Sequence, residues 1–296
     1  MLLFEPEVLP RLERLRLAAS DRVRGSRAGE RRSRARGQGG EFSDHRAYVP
    51  GDDLKRLDWN LYGRLDRLYL RQFEEEREPR VLLLLDSSES MAFGSPSKFE
   101  MAVRVAGAVG YSALCGFDRV ALRTYPTPPA ERGPRTSTDW RGRRVAGTFL
   151  QHLASLKPGG TGDFRNALRR AAFETRQAGA AVVVGDFLDP AGYADGLSAL
   201  VARGFRVEVV QVLCREELEP SAYGDLVMVD SETGSRTEVT FRRHRLAEYR
   251  RSLEAFLAEF ERFCRARGIR RHLVDAGAPV EDVIFRQFRA GGLWQG

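Results

Sequence analysis

The chain has little cysteine, few lysines and no long apolar run, and each shortage narrows the possible classes of protein. Its three cysteines lie far apart without a CxxC spacing, so neither a disulfide framework nor a cysteine-based zinc site is predicted. The longest apolar runs, such as 81–85 and 178–185, are far shorter than the roughly 20 residues that cross a bilayer. No signal-peptide pattern opens the sequence. We therefore expect a cytoplasmic protein without a membrane span.

Lysine is scarce because nearly every basic residue is an arginine. Only Lys55, Lys98 and Lys157 are lysines among 48 basic residues, and the formal net charge is +7. A basic excess by itself is weak evidence for nucleic-acid binding. The four histidines do not have the spacing of metal ligands. No P-loop and no G-x-G-x-x-G follows a strand, so no nucleotide site is predicted.

The apolar pattern divides the 296 residues into three parts. Residues 1–40 contain an amphipathic helix at 6–20 and an arginine-rich linker. Residues 41–77 read as a small strand-rich module in which "GRLDR" forms a hairpin turn. Residues 78–296 alternate strands and helices, which predicts an α/β domain with a doubly wound, mostly parallel sheet and helices on both faces. A hairpin insertion is expected near 225–241.

Helix signals within the third part are specific enough to predict boundaries. Ser97-x-x-Glu100 is a capping box, and Asp189 followed by Pro190 has the pattern of an N-cap and first helical position. Asp163 is likewise interpreted as a helix cap. Helices are expected at about 98–115, 145–156, 164–177, 243–267 and 279–289.

Oxygen-bearing side chains stand where strands of this domain end or where a glycine loop turns. They are Asp86, Ser88, Ser90, Thr161 and Asp186. Alternate side chains of an extended segment face the same way, and ligands of such sheets lie beyond the carboxyl ends of the strands. Two carboxylates and three hydroxyls without His or Cys suit a hard divalent cation. The sequence therefore predicts a Mg²⁺ site, with Mn²⁺ or Ca²⁺ as alternatives.

The order D-x-S-x-S, then T, then D resembles the metal-ion-dependent adhesion site of von Willebrand factor A domains. The resemblance implies a von Willebrand factor A-like sheet whose upper edge holds a cation with an open coordination position, often filled by a partner's carboxylate. It also implies that the same five residues are ligands, some of them through water.

A second resemblance covers residues 38–190 in several ordered blocks. "GGEFSDHRAYVPGDDLKRLDWN", "LYLRQFEEERE", "DSSESMAFGSPSKFEMA" and "GDFLDP" are similar to the bacterial domain-of-unknown-function 58 family. Its members are typically encoded beside MoxR-type AAA+ ATPases. The resemblance implies such an ATPase as a protein partner.

We therefore expect a non-enzymatic, metal-dependent protein-binding adaptor. A charge-dense segment of the small module is either an internal ion-pair network or a partner surface, and exposure of Trp59 would favour the surface. Its residues are Arg46, Asp52, Asp53, Arg56, Asp58 and Trp59.

Two alternatives belong to other functional classes. Residues 22–36, rich in arginine, could bind nucleic acid. Asp86 at the end of a strand could instead be the nucleophile of a metal-dependent phosphohydrolase. Haloacid-dehalogenase-type enzymes, however, need a second Asp two positions later as general acid, and that position holds Ser88.

Overall fold

The computed structural model describes most of the chain. The described residues are 3–18, 41–54, 57–74, 80–116, 118–126, 138–161, 163–175, 178–220, 224–229, 236–241 and 243–295. They form two compact units, of which one contains Met1–Gly25 with Pro79–Gly296 and the other contains Ser26–Glu78. The three-part division predicted from the sequence stays a prediction.

The strands and helices of both units are numbered in chain order. The strands of the described ranges are β1 Glu41–Ala47, β2 Tyr69–Glu74, β3 Arg80–Asp86, β4 Arg119–Tyr125, β5 Thr138–Arg141, β6 Ala180–Gly185, β7 Arg206–Leu213, β8 Gly224–Val229, β9 Arg236–Phe241 and β10 Arg270–Asp275. The helices are α1 Leu9–Glu13, α2 Trp59–Leu65, α3 Lys98–Cys115, α4 Ala146–Ser155, α5 Phe164–Glu174, α6 Ala194–Ala202, α7 Arg215–Leu218 and α8 Arg243–Ala266. Short helical turns lie at Glu89–Ala92, Arg143–Val145, Val280–Asp282, Val283–Gln287 and Phe288–Ala290.

A six-stranded sheet forms the centre of this unit. Its strand order is β5-β4-β3-β6-β7-β10, and every pair is parallel except β4 with β5. The prediction of an α/β fold with a mostly parallel sheet is therefore confirmed. The antiparallel edge strand β5 was not predicted. The hairpin expected near 225–241 is present as β8 paired with β9.

The central strand β3 is buried on both faces, as the continuous apolar run predicts. Its odd-numbered side chains, Val81, Leu83 and Leu85, pack in one apolar layer with α3. Leu82 and Leu84 pack in the opposite layer with residues of α5, α6 and α8. Full burial of each such side chain contributes roughly 1.5–3 kcal/mol, so this strand is a rigid base for whatever follows it.

The chain changes direction across the sheet at β3. From β3 it passes through α3 to β4 on one side, and it later returns to β6 on the other side. The crossovers therefore diverge between the carboxyl ends of β3 and β6. Such a switch point leaves a crevice in which α/β proteins bind their ligands.

The N-terminal helix is shorter than predicted. Instead of 6–20 it covers Leu9–Glu13. Beyond it, Leu17 forms an antiparallel bridge with Trp294, and the amide of Ala18 donates to the carbonyl of Leu293 at 2.9 Å. The backbone there is engaged with the C-terminal segment and so does not continue the helix.

The hairpin turn predicted at "GRLDR" is wrong, because a helix occupies this stretch. Asp58 caps α2 by accepting hydrogen bonds from the amides of Asn60 and Leu61 at 3.0 and 3.1 Å. Asp66 ends the helix in a left-handed conformation with φ of 50°. The strands β1 and β2 still pair with each other in antiparallel fashion on either side of the helix in sequence.

Asp189 does not cap a helix that starts at Pro190, which corrects another prediction. The helix α6 begins only at Ala194. Asp189 accepts from the amide of Ala191 at 2.7 Å and from the amide of Phe164, at the start of α5, at 3.1 Å. The carboxylate therefore joins a tight turn to a neighbouring helix. The predicted cap at Asp163 is confirmed by its hydrogen bond from the Asn166 amide at 3.2 Å.

Within the described ranges, no helix combines the length and the apolar character that crossing a bilayer requires.

The packing of β6 against β3 predicts a strong effect of Gly179→Ala. A methyl group at this position would lie 2.1 Å from the carbonyl oxygen of Arg80, a backbone atom that cannot rotate away. We expect a loss of about 1–3 kcal/mol or more in the free energy of unfolding, measured by urea denaturation. The control is Gly147→Ala, where the added methyl meets nothing within 4 Å. Equal stability of the two variants would contradict the packing.

Candidate metal centre

The carboxylate of Asp86 stands at the carboxyl end of β3 and is only 6% exposed. Its Oδ1 accepts two hydrogen bonds from Ser88, one from the amide at 2.9 Å and one from the hydroxyl at 2.7 Å. These bonds fold the chain into a tight turn directly after the strand. Among the described residues, none donates a hydrogen bond to Oδ2, so this oxygen is the uncommitted one.

The other strand end, at β6, carries Asp186 to the same place. The hydroxyl of Ser90 lies 2.9 Å from that of Ser88 and 3.5 Å from Oδ2 of Asp186. Asp186 is 3% exposed, and its Oδ1 accepts from the Leu188 amide at 3.0 Å. Four of the five predicted ligands therefore meet at the switch point between β3 and β6.

Backbone geometry after Asp186 is unusual. Phe187 has a φ of 62°, which costs a non-glycine residue roughly 1–2 kcal/mol. Its ring is buried and contacts the rings of Phe164 and Phe260, with centroids 5.3 and 5.0 Å away. This aromatic packing offsets the cost and holds the turn that presents Asp186.

The fifth predicted ligand, Thr161, lies on a glycine loop that is attached to the first segment by its backbone. The amide of Gly159 donates to the carbonyl of Ser87 at 2.8 Å, and the amide of Glu89 donates to the carbonyl of Gly160 at 3.0 Å. Gly160 has a φ of 82°, which favours glycine. Thr161 itself is exposed, and its hydroxyl forms no hydrogen bond with the other residues that the structure describes.

A buried lysine, which the sequence analysis did not assign to the site, contacts this cluster. Lys98 is the first residue of α3 and only 1% exposed. Its Nζ lies 2.7 Å from Oδ2 of Asp186 and 2.6 Å from Oε1 of Glu217. Glu217 belongs to α7, just after β7, and its Oε2 also accepts from the Cys214 amide at 3.0 Å. The ammonium thus joins the ends of two strands to the start of α3.

The electrostatics of the cluster are those of a site with excess negative charge. Burial, followed by the nearby Asp186 carboxylate, raises the pKa of Asp86 to about 7, although the Ser88 hydrogen bonds and Lys98 oppose the shift. Burial alone would lower the pKa of Lys98, but the carboxylates of Asp186 and Glu217 outweigh it, and the pKa is raised. Lys98 is therefore charged.

The donor set fits a hard divalent cation. It consists of carboxylate and hydroxyl oxygens, one carboxylate oxygen is uncommitted, and the surrounding charge is negative. No group of three or more His, Cys, Asp or Glu side chains with metal-binding geometry occurs in the described part of the chain. A site here would therefore rely on hydroxyls for the rest of its ligands.

Two features of the sequence could have drawn attention to residues beyond the five predicted ligands. Lys98 is one of only three lysines in a chain whose basic residues are nearly all arginine, and the compact ammonium of a lysine is not interchangeable with a guanidinium. Gln211 interrupts the apolar strand β7, and its Nε2 donates to the backbone carbonyl of Asp186 at 2.9 Å. A polar residue within a buried strand indicates a specific hydrogen-bond partner.

The predicted partner surface lies in the smaller unit. Arg46 pairs with Asp52 at 2.8 Å. Asp58 caps α2 and lies 2.9 Å from His45. Trp59 is 64% exposed. The carboxylates of Asp52 and Asp58 thus serve the unit's own structure, whereas Trp59 is available for contact.

The remaining parts of the surface and linker predictions are Asp53, Arg56 and the stretch 22–36. Asp53 is exposed in the loop before α2. Arg56 and the arginine-rich stretch 22–36 lie outside the described residues, so the nucleic-acid alternative stays a prediction.

The paired lysine predicts a large effect of Lys98→Met. Methionine retains the apolar stem but leaves two carboxylates in the protein interior without their cation. Breaking a buried ion pair from one side costs about 3–5 kcal/mol, and we expect a loss of this size in urea denaturation without divalent cations. Lys157→Met, at an exposed lysine, is the matched control and should change stability little. Comparable stability of the two variants would contradict the bridge.

The raised pKa of Asp86 predicts a pH-dependent effect of Asp86→Asn. Without a bound cation, the folded chain keeps a proton on this carboxyl between about pH 4 and pH 7 that the unfolded chain has released. The contribution of Asp86 to stability therefore falls as the pH rises through this window. Asparagine keeps the acceptor for Ser88 and cannot ionise. The stability of the variant relative to wild type should rise from about pH 4 to about pH 7 in EDTA and level off above that, measured by urea unfolding; a difference that is constant with pH would refute the shift.

Similar proteins include uncharacterized proteins of mycobacteria. The uncharacterized protein Rv1480 of Mycobacterium tuberculosis is 29% identical over 269 residues, which cover 89% of this chain and 83% of that protein. The uncharacterized protein MAV169 of Mycobacterium avium is 30% identical over 130 residues, or 43% of this chain and 76% of that protein.

Among solved structures, the chain is similar to BatB, a conserved hypothetical protein from Bacteroides thetaiotaomicron. The TM-score is 0.40 with 17% identity, over 72% of this chain and 98% of that one. An aerotolerance-related membrane protein from Bacteroides fragilis, with multiple mutations to serines, has a TM-score of 0.39 and 19% identity over 72% of this chain and 99% of that chain.

A family match covers most of the sequence, from residue 44 to residue 257, and its description is "Protein of unknown function DUF58". The chain belongs to this family.

Proposed function

We propose that the larger unit is a von Willebrand factor A-like domain that binds a divalent cation and, through it, a protein partner. The observation that carries the proposal is the meeting of Asp86, Ser88, Ser90 and Asp186 at the switch point of the sheet. The D-x-S-x-S, T, D order of the metal-ion-dependent adhesion site accounts for the residue types and for their sequence positions. The proposed role is binding without catalysis.

Each residue has a distinct part in the proposed site. Asp86, with its uncommitted Oδ2, and the hydroxyls of Ser88 and Ser90 would hold Mg²⁺, with Mn²⁺ or Ca²⁺ as alternatives. Asp186 would contribute charge and a ligand directly or through water. Thr161 would complete the set from the glycine loop. The cation, when bound, supplies an open coordination position for a carboxylate of the partner.

The proposed partner is a MoxR-type AAA+ ATPase, as the resemblance to this family implies. A carboxylate from such a protein would bind at the open position, and the exposed Trp59 of the smaller unit is a candidate for a separate contact. We also propose that the protein acts in the cytoplasm, where this ATPase would be accessible.

The test is a pull-down of the MoxR-type ATPase encoded in the same genome, performed in Mg²⁺ and in EDTA. We expect EDTA to abolish capture and Ser90→Ala to weaken it by at least about tenfold, because the hydroxyl is a proposed ligand. Ser155→Ala, at an exposed helix end, is the control and should bind like wild type. Capture that is indifferent to EDTA and to Ser90→Ala would overturn the metal-dependent proposal.

A further inference from the structure

The position of Lys98 is unusual for a residue beside a proposed cation site. Its ammonium is buried and contacts Oδ2 of Asp186, the same oxygen that the Ser90 hydroxyl approaches at 3.5 Å. A divalent cation that used this oxygen would therefore share it with an existing positive charge.

The remaining oxygens of the two aspartates are unequally available. Oδ1 of Asp86 accepts both Ser88 hydrogen bonds, and Oδ1 of Asp186 accepts the Leu188 amide. Oδ2 of Asp86 is uncommitted among the described residues, whereas Oδ2 of Asp186 is paired with Lys98 at 2.7 Å. Asp86 is thus the carboxylate ready for a cation, and Asp186 is already neutralised in part.

Charge counting shows what Lys98 does to the cluster. Asp86, Asp186 and Glu217 supply three carboxylates against one ammonium, which leaves an excess of two negative charges when all are ionised. One divalent cation would neutralise that excess. Without Lys98 the excess would be three, and in a buried site the attraction for a divalent cation would be much stronger.

Lys98 is held between its two partners by more than charge. Glu217 is fixed by its bond from the Cys214 amide, and its backbone carbonyl accepts from the hydroxyl of Tyr249 in α8 at 2.9 Å. The Lys98 ammonium therefore has Glu217 as a second carboxylate partner in a fixed position. The strength of that pairing determines how strongly the ammonium interacts with Asp186.

We propose that Lys98 is the residue that sets the affinity of this site for divalent cations: it competes with the cation for Asp186, and Glu217 moderates the competition. The inference rests on the proposed function, since it concerns the same site. It assigns to Lys98 and Glu217 a role that is separate from ligation.

Cation affinity tests this directly. Mg²⁺ and Mn²⁺ are titrated separately into wild type, Lys98→Met and the control Lys157→Met by isothermal calorimetry, with thermal melts in parallel. We expect Lys98→Met to lower the dissociation constant by at least about tenfold, because a repulsive charge is removed from the site. Its melting temperature, low in EDTA, should rise more with cation than that of wild type. Lys157→Met should match wild type.

Glu217→Gln provides a measurement that does not depend on Lys98→Met folding without a cation. The side-chain oxygen of glutamine can still accept a hydrogen bond from the Cys214 amide. The site, however, loses one negative charge, and the Lys98 ammonium is then paired with the carboxylate of Asp186 alone. The dissociation constant should rise severalfold, the opposite direction to Lys98→Met. A purely structural role of Glu217 would change the melting temperature and leave cation affinity unchanged.

The outcomes separate the two proposals. If wild type binds cations and Lys98→Met binds no tighter, or Glu217→Gln binds equally well, the role of Lys98 is overturned and the metal site stands. If Lys98→Met binds a cation where wild type shows none, the competition is supported. If neither wild type nor Lys98→Met binds Mg²⁺ or Mn²⁺, the proposed metal site fails, and the role of Lys98 fails with it.

Discussion

The contact on which the site depends most is the buried ammonium of Lys98 between two carboxylates. It joins the first residue of α3 to Asp186 after β6 and to Glu217 after β7. A buried charge without a partner would be strongly destabilising. The start of α3 and the segments that follow β6 and β7 are therefore held together in the folded chain. The ammonium and the Ser90 hydroxyl both lie near Oδ2 of Asp186, at 2.7 and 3.5 Å, so the charge pairing of Lys98 bears directly on the proposed ligands.

The topology of the sheet is the second constraint. The β3 and β6 strands are neighbours, yet the chain leaves them towards opposite sides, so their carboxyl ends face a crevice. Parallel neighbours bring Asp86 and Asp186 together although 100 positions separate them in the sequence. This convergence contributes to the raised pKa of Asp86, which results first from burial and then from the nearby Asp186 carboxylate.

Two helix predictions failed, each for its own physical reason. Asp189 and Asp58 have the residue type of an N-cap, and both carboxylates do accept backbone amides. For Asp58 the helix that follows was missed because aromatic and glycine residues are weak helix formers. For Asp189 the helix was placed too early because its carboxylate caps α5, a contact between segments that are distant in sequence.

The sequence by itself determined the alternation of strands and helices, the mostly parallel sheet and the candidate ligands, because apolar periodicity and oxygen side chains at strand ends are local properties. Family membership is also a property of the sequence, since the family match covers residues 44–257. Only the tertiary structure decided that Lys98 and Glu217 belong to the site and that the N-terminal helix ends at Glu13. The physical reason is that these outcomes depend on charges and backbone groups that meet only after the chain has folded.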